Sequence, residues 1–316
     1  MTIQTPSCSI IIRAYNEEQH LGKLLEGLRQ QSLSNSEVIL VDSGSTDQTP
    51  QIGRRFGAKV LQISPQDFTF GRSLNLGISH AQAELVVIAS AHVYPVYPDW
   101  LERLLSPFQD PQTALAYGKQ RGAASSKYAE RQIFQQWYPD QSNPRQTHPF
   151  CNNANAAIRR SLWEQHPYDE TLSGLEDLAW AKWALETGYY LAYVAEAEVI
   201  HVHQETPRAV YNRYRREAMA FKRIFPQEQF GLRDLLRLSF SNIASDIRHA
   251  AREKEIFRHL GEIIWFRWMQ FWGTYQGYHQ SGQLTWQLRQ TFYYPRQVEA
   301  KPASKPRNVQ PIQYKD

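Results

Sequence analysis

The feature that most limits what this chain can fold into is an alternation over its first hundred residues. Short, uninterrupted apolar runs are separated by segments of helical periodicity. Ser9–Arg13, Glu37–Val41, Lys59–Ile63 and Leu85–Ala89 have the length and β-branched content of buried strands. Between them, Glu17–Gln31 sets Leu21, Leu24, Leu25 and Leu28 at helical spacing. Thr46–Phe56 reads as a second helix entered through Asp47, and Gly71–Ala81 places Leu74, Ile78 and Ala81 on one face of a third. Apolar strands alternating with such helices imply an α/β fold, a mostly parallel sheet covered on both faces. Ligands of these sheets bind beyond the carboxyl ends of the strands. The polar turns Arg13–Glu17, Asp42–Asp47 and Ser90–Pro95 are therefore where chemistry is expected.

The pattern then loosens. Asp99–Leu105 reads as a short helix and Tyr117–Arg121 as a strand. Ser125–Gln146 reads as a polar, Gln-rich mobile insertion with helical character around Tyr128–Trp137. Ala154–Ile158 is an expected strand, Ser161–Gln165 and Leu175–Thr187 expected helices, and Leu191–Val194 and Val199–Val202 two late strands. Beyond His203 three helices are expected, at Arg208–Phe225, Leu232–Arg258 and Gly261–Tyr278, then a disordered Pro/Lys/Gln-rich tail from about Pro295. The organisation is an α/β unit over 1–205, a helical extension over 206–294 and a tail over 295–316. Charge follows this division: 16 basic against 21 acidic residues over 1–203, and 19 against 10 beyond.

Several classes are excluded. A net charge of +4 over 316 residues does not describe a nucleic-acid binder. Cys8 and Cys151 form no Cys-x-x-Cys, so neither a disulfide framework nor a thiolate zinc site is expected, and a reducing cytoplasm fits. With no basic leader and no apolar run of about 18 residues, neither a signal peptide nor a membrane span is expected.

Individual residues carry competing readings. Asn16 and Asp47 read as helix N-caps. Asp42 ends a strand, has no capping duty, and is free to accept from a base N–H or a ribose hydroxyl. Asn152, Asn153 and Asn155 either bind sugar hydroxyls or satisfy their own turn. Glu176 and Asp177 open a helix, either as an acidic first turn complementing its dipole or with one of them facing a substrate. His201 and His203, two apart on a strand, share a face. Trp265, Phe266, Trp268, Phe271 and Trp272, above Gly273 and Gly277, read first as a packing or homodimer stripe. The alternative is a surface for an anionic membrane, where the Arg cluster from Arg208 would also serve.

The ordered set SIIIRAYNEE, VILVDSGSTDQT, Asn75-Leu76-Gly77, SAHVYP, Cys151–Arg160, Tyr168-Asp169-Glu170, Gly174–Asp177 and His201-Val202-His203 resembles family 2 glycosyltransferases of the GT-A fold over roughly residues 7–205. The resemblance implies a cytoplasmic inverting transferase, at most peripheral to the membrane. Its donor would be a nucleotide-sugar and its acceptor a glycan or a lipid-linked glycan, in polysaccharide or glycolipid synthesis. It implies nucleotide contacts at Ala14, Tyr15, Glu17, Asp42, Arg72 and Asn75, a catalytic base at Asp177 beside Glu176, and a divalent cation, Mn²⁺ or Mg²⁺. Two departures stand out. The metal-binding Asp of the family's Asp-x-Asp motif is His92, in register with Pro95, which points to a three-imidazole set of His92, His201 and His203. Leu74 occupies the position of an arginine that touches the diphosphate, and Arg72 points about 200° away from it on the helix. The alternative reading is a non-catalytic relative that binds nucleotide-sugar or glycan.

Overall fold

The computed structural model describes residues 6–203, 205–279 and 309–314. Its N-terminal half is built from β1 (Cys8–Ala14), α1 (Glu18–Arg29), β2 (Ser36–Asp42), α2 (Thr49–Arg55), β3 (Lys59–Gln62), α3 (Phe70–Ser79) and β4 (Leu85–Ser90). These strands run parallel in the order β3-β2-β1-β4, with Ile11 opposite both Ile39 and Ile88. The two-residue period of β1 divides its apolar side chains between two cores. Ile10 and Ile12 pack with Leu21, Leu24 and Leu25 of α1 on one face. Ile11 packs with Leu74 and Ile78 of α3 on the other.

Past β4 the sheet becomes mixed. The chain continues through β5 (Val93–Pro95), α4 (Trp100–Leu105), β6 (Thr113–Gly122), α5 (Tyr128–Trp137), β7 (Asn143–Gln146), β8 (Asn155–Arg159), α6 (Arg160–Gln165), α7 (Glu176–Glu186) and β9 (Tyr190–His201). The nine-stranded order is β3-β2-β1-β4-β8-β6-β9-β5, with β7 also pairing β9. β8 runs antiparallel to β4 and β6, and only β6 and β9 are parallel in this half.

Four expectations are corrected here. The two late strands are one strand, β9, whose register against β6 shifts between Gly118 and Gln120. The short strands β5 and β7 were not expected, since each contains a proline and sits on one side of β9 only. The Gln-rich segment is not a mobile insertion: α5 buries Tyr128, Glu130, Gln132 and Phe134. The expected helix Leu232–Arg258 ends at Arg252, because Lys254 takes a left-handed conformation (φ 62°) that lets the Glu255 amide return to the Ala250 carbonyl.

The C-terminal helices are α8 (Pro207–Ile224), α9 (Leu232–Arg252) and α10 (Ile256–His279). Gly273 and Gly277 face the Tyr211 and Arg215 carbonyls of α8, where any Cβ would collide, so α10 crosses α8 backbone to backbone. Phe266 and Phe271 are fully buried. Asp246 and Arg267 form a buried ion pair at 2.7 Å between α9 and α10. Among the described residues, no helix is long and apolar enough to cross a membrane. The expected tail lies outside the described residues over 295–308. Residues 309–314 are docked: the Ile312 amide donates to the Val96 carbonyl, and the Tyr314 hydroxyl to that of Pro95.

Candidate active site

The turns after β1 and β2 are stitched to each other. Asn16 is left-handed (φ 55°), its amide donates to Ser45 Oγ, and its Oδ1 accepts from the Thr46 amide, both at 2.8 Å. Asp47 accepts from the Glu18 amide at 3.1 Å and the Thr49 amide at 2.9 Å. Neither residue is an N-cap, since those positions fall to Glu17 and Gln48. The two side chains instead tie together the starts of α1 and α2. Asp42, 1% exposed, has a turn duty after all, accepting from the Gly44 and Ser45 amides. Beside this platform Ala14 is buried and Tyr15 is 57% exposed.

A second layer gathers where α7 begins. Leu175, just before α7, is left-handed (φ 56°), a strained conformation for a non-glycine residue. It turns the chain so that Glu176 and Asp177 are both buried. Arg13, at the end of β1, donates to Glu176 Oε1 at 3.1 Å. The Arg13 guanidinium also lies over the Phe70 ring at 4.8 Å, with Arg216 of α8 over the same ring at 4.5 Å. Asp177 accepts from the Asn153 amide at 2.9 Å and the Leu178 amide at 2.8 Å. Burial and the neighbouring Glu176 push its carboxyl up to about 7, against the backbone donors and Arg13.

The third group is the histidine cluster. His92 and His201 stack at 5.1 Å between ring centroids, and His201 and His203 approach to 4.0 Å. Each imidazole is oriented through Nδ1: His92 by Glu17 Oε1 at 2.8 Å, His201 by Gln120 Oε1 at 2.7 Å and His203 by Glu130 Oε1 at 2.7 Å. Carboxylate and amide oxygens only accept, so each Nδ1 carries the hydrogen, and in a neutral ring Nε2 keeps its lone pair. The Ser90 hydroxyl reaches His92 Nε2 at 3.1 Å, whereas His201 Nε2 is buried without a partner. Burial, first of all, holds His201 and His203 well below the usual histidine range, so both are neutral. One ligand nitrogen from each ring fits within 4.8 Å of the others.

Not every expected residue joins this centre. Asn155 is fully buried; its Oδ1 accepts from Trp100 Nε1 and its amide donates to the Lys119 and Ala197 carbonyls, so it holds strands together and has no group left for a sugar. Asn75 is likewise engaged by Tyr168, Glu170 and Trp163. Arg72 pairs with Glu170 at 2.8 Å on the outer side of α3, away from Leu74. Asn152 and Asn153, by contrast, do reach the centre: Asn152 accepts from the Ala154 amide and lines the cavity beside Asp177, and Asn153 donates to Asp177 through its backbone and to Glu176 through its side chain. Glu17 serves His92 rather than standing free for a nucleotide.

Asp177, His201 and His203 open into one cavity of about 110 Å³. Phe134, Trp137 and Phe150 form apolar walls, and Arg213, Tyr214 and Glu217 of α8 close one side. These α8 residues and Glu130 were missed by sequence reasoning. Arg213 lies in the Arg cluster from Arg208, but nothing in the sequence marks Glu130, a single acid in a Gln-rich helix. Glu130 accepts from Arg213 as well as His203, and burial raises its carboxyl above the usual range.

The sequence profile of glycosyl transferase family 2 matches residues 9–166. An O-antigen chain rhamnosyltransferase of Salmonella anatum, WbaN, is 29% identical over 222 residues, covering 66% of this chain and 70% of its own. Two solved structures share the fold. The mannosyltransferase PcManGT from Pyrobaculum calidifontis, in complex with GDP-Man and Mn²⁺, aligns at a TM-score of 0.56 and 19% identity, over 87% of this chain and 85% of its own. Residues 1–349 of TarS from S. aureus, in complex with UDP-GlcNAc, align at 0.51 and 16% identity, over 88% and 92%. The architecture is thus the GT-A fold with a C-terminal helical part.

Proposed function

Because the chain belongs to glycosyl transferase family 2, we propose that it moves a sugar from a nucleoside-diphosphate donor to an acceptor hydroxyl, with inversion, in the assembly of a polysaccharide or lipid-linked glycan. The observation that carries this reading is the position of Asp177. A buried carboxylate with a raised pKa lines the same cavity as His201 and His203. A base tuned toward neutrality is what proton removal from a hydroxyl requires. The acceptor stands in that cavity, gives its proton to Asp177, and attacks the anomeric carbon opposite the diphosphate. The relatives support a deoxyhexose of the rhamnose type as the transferred sugar.

The nucleotide lies over the platform of Asp42, Ala14 and Tyr15. Arg13 and Arg216, both on Phe70, supply positive charge near the diphosphate that Leu74 does not. His92, His201 and His203 would hold a divalent cation. The fit rests on one ring nitrogen from each histidine lying within 4.8 Å of the others, with His201 Nε2 buried and unpartnered among the described residues. A nitrogen donor set suits Mn²⁺ and later transition metals better than Mg²⁺. When bound, the cation supplies charge neutralisation to the leaving diphosphate. The chain is read as acting at the cytoplasmic side of a membrane that carries its acceptor.

A melting-temperature screen against UDP-, GDP- and dTDP-sugars, with Mn²⁺ or EDTA, tests the proposal. One donor should raise the melting temperature by several degrees with Mn²⁺ and much less in EDTA, and the same donor should support transfer. A donor that binds but is never turned over would favour the non-catalytic relative.

A further inference from the structure

Among the described residues, seven of the eight large apolar side chains left exposed lie on α9 and α10. On α9 they are Leu232, Leu236 and Phe240, four residues apart. On α10 they are Phe257, Leu260, Ile264 and Trp268, at spacings of three and four. Each set is a stripe along one side of its helix. The inner sides are already used: α9 buries Leu235, Leu238 and Asp246, and α10 buries Ile263, Phe266 and Phe271. The hairpin thus carries a second apolar surface facing outward, on which Phe240 is 65% and Phe257 96% exposed. Exposed apolar area concentrated on one element marks a contact surface.

The charges around it select the partner. Arg233, Arg237, Arg248, Arg252, Lys254 and Arg258 are exposed on this hairpin. Its acids are mostly turned inward or engaged. Asp246 is buried against Arg267, Glu253 accepts from the Tyr128 hydroxyl and Glu262 from the Tyr128 amide, while Asp234 accepts from the Gly231 amide and pairs with Arg237, and Glu255 pairs with Arg258, so the six cations outnumber the acids that face them. The outward surface is apolar and cationic. A two-fold dimer through this surface would set the same arginines against each other. An anionic lipid surface satisfies both characters at once: the apolar side chains enter the acyl boundary while the arginines meet phosphate headgroups.

We propose that the outer face of the α9–α10 hairpin docks in the plane of an anionic membrane. Because α10 packs along α8, which walls the cavity, this docking holds the site beside a lipid-linked acceptor. The docking surface itself follows from exposure and charge, whereas its presentation of a lipid-linked acceptor rests on the transfer reading.

The test is flotation of the full chain with vesicles of phosphatidylcholine containing phosphatidylglycerol, against phosphatidylcholine alone. Most of the protein should float with the anionic vesicles, little with the neutral ones, and salt should weaken the binding. Phe240→Asp with Phe257→Asp should cut vesicle binding at least about tenfold, with unchanged melting temperature and nucleotide affinity. Replacing Arg233, Arg237 and Arg248 by Gln should remove the preference for anionic lipid. Failure of the wild-type chain to float would overturn the proposal. So would light scattering that shows a dimer dissociated by the two Asp substitutions, since the stripe would then join two copies. Nucleotide affinity read on the same samples separates either failure from failure of the transfer reading.

Discussion

Two regions at the same edge of the sheet treat their polar groups in opposite ways. At the turns after β1 and β2, Asn16, Ser45, Asp47 and Asp42 use their hydrogen-bonding groups on neighbouring backbone and side chains. Around the cavity, His201 Nε2 is buried with no partner, Leu175 is held left-handed, and Glu176 and Asp177 are buried side by side. The first arrangement is stable on its own terms. The second costs folding free energy through strain, an orphaned acceptor and paired buried carboxylates. Such costs gather where a protein binds or reacts. That contrast supports the proposal that the first region carries the nucleotide and the second the chemistry.

The largest expected effect lies in the second region. Asp177→Asn should lower transfer by about 10³-fold while nucleotide affinity stays near that of the wild type. Asp177 must be ionised to act, and its carboxyl is raised to about 7. Transfer should therefore be full above that pH and fall about tenfold per unit below it. An acid limb near 4, or normal turnover by the variant, removes Asp177 as the base.

Smaller effects sharpen the contrast. Glu130→Gln keeps the side-chain shape but weakens the partner that orients His203, and should reduce Mn²⁺ affinity about 10–100-fold by calorimetry. Unchanged affinity would mean that Glu130 serves only Arg213. Asn155→Ala belongs to the scaffold. It should cost about 2–3 kcal/mol in denaturant unfolding, because Trp100 Nε1 and two carbonyls lose buried partners. The folded variant should keep its kcat/KM.

Much of this was legible in the sequence where one local rule decided the outcome. The four parallel strands and their helices follow from hydrophobic period, and the bounds of β1 and β2 agree to within a residue at each end. His201 and His203 do meet, but not as two residues of one strand: β9 ends at His201, and His203 lies in the segment beyond it. Other features depend on distant partners. Asp42 looked free because its turn donors, Gly44 and Ser45, have no side-chain signature for that role. Asn155 looked like a sugar ligand because its partners, Trp100, Lys119 and Ala197, come from three separate segments. The end of α9 at Arg252 escaped notice because the left-handed lysine beyond it, Lys254, carries no glycine or proline signal. Glu130 stands out only once the fold brings α5 to His203 and to Arg213 of α8.

The three imidazoles are proposed here as a working ligand set and not a structural cluster. The direct measurement is Mn²⁺ electron paramagnetic resonance on the full chain, with pulsed detection of nitrogen couplings. The account predicts stoichiometric Mn²⁺ binding with ¹⁴N couplings from the imidazoles, lost in His201→Ala and weakened in His92→Ala. A spectrum of unliganded aqueous Mn²⁺ at millimolar metal, or bound metal without ¹⁴N couplings, would contradict it.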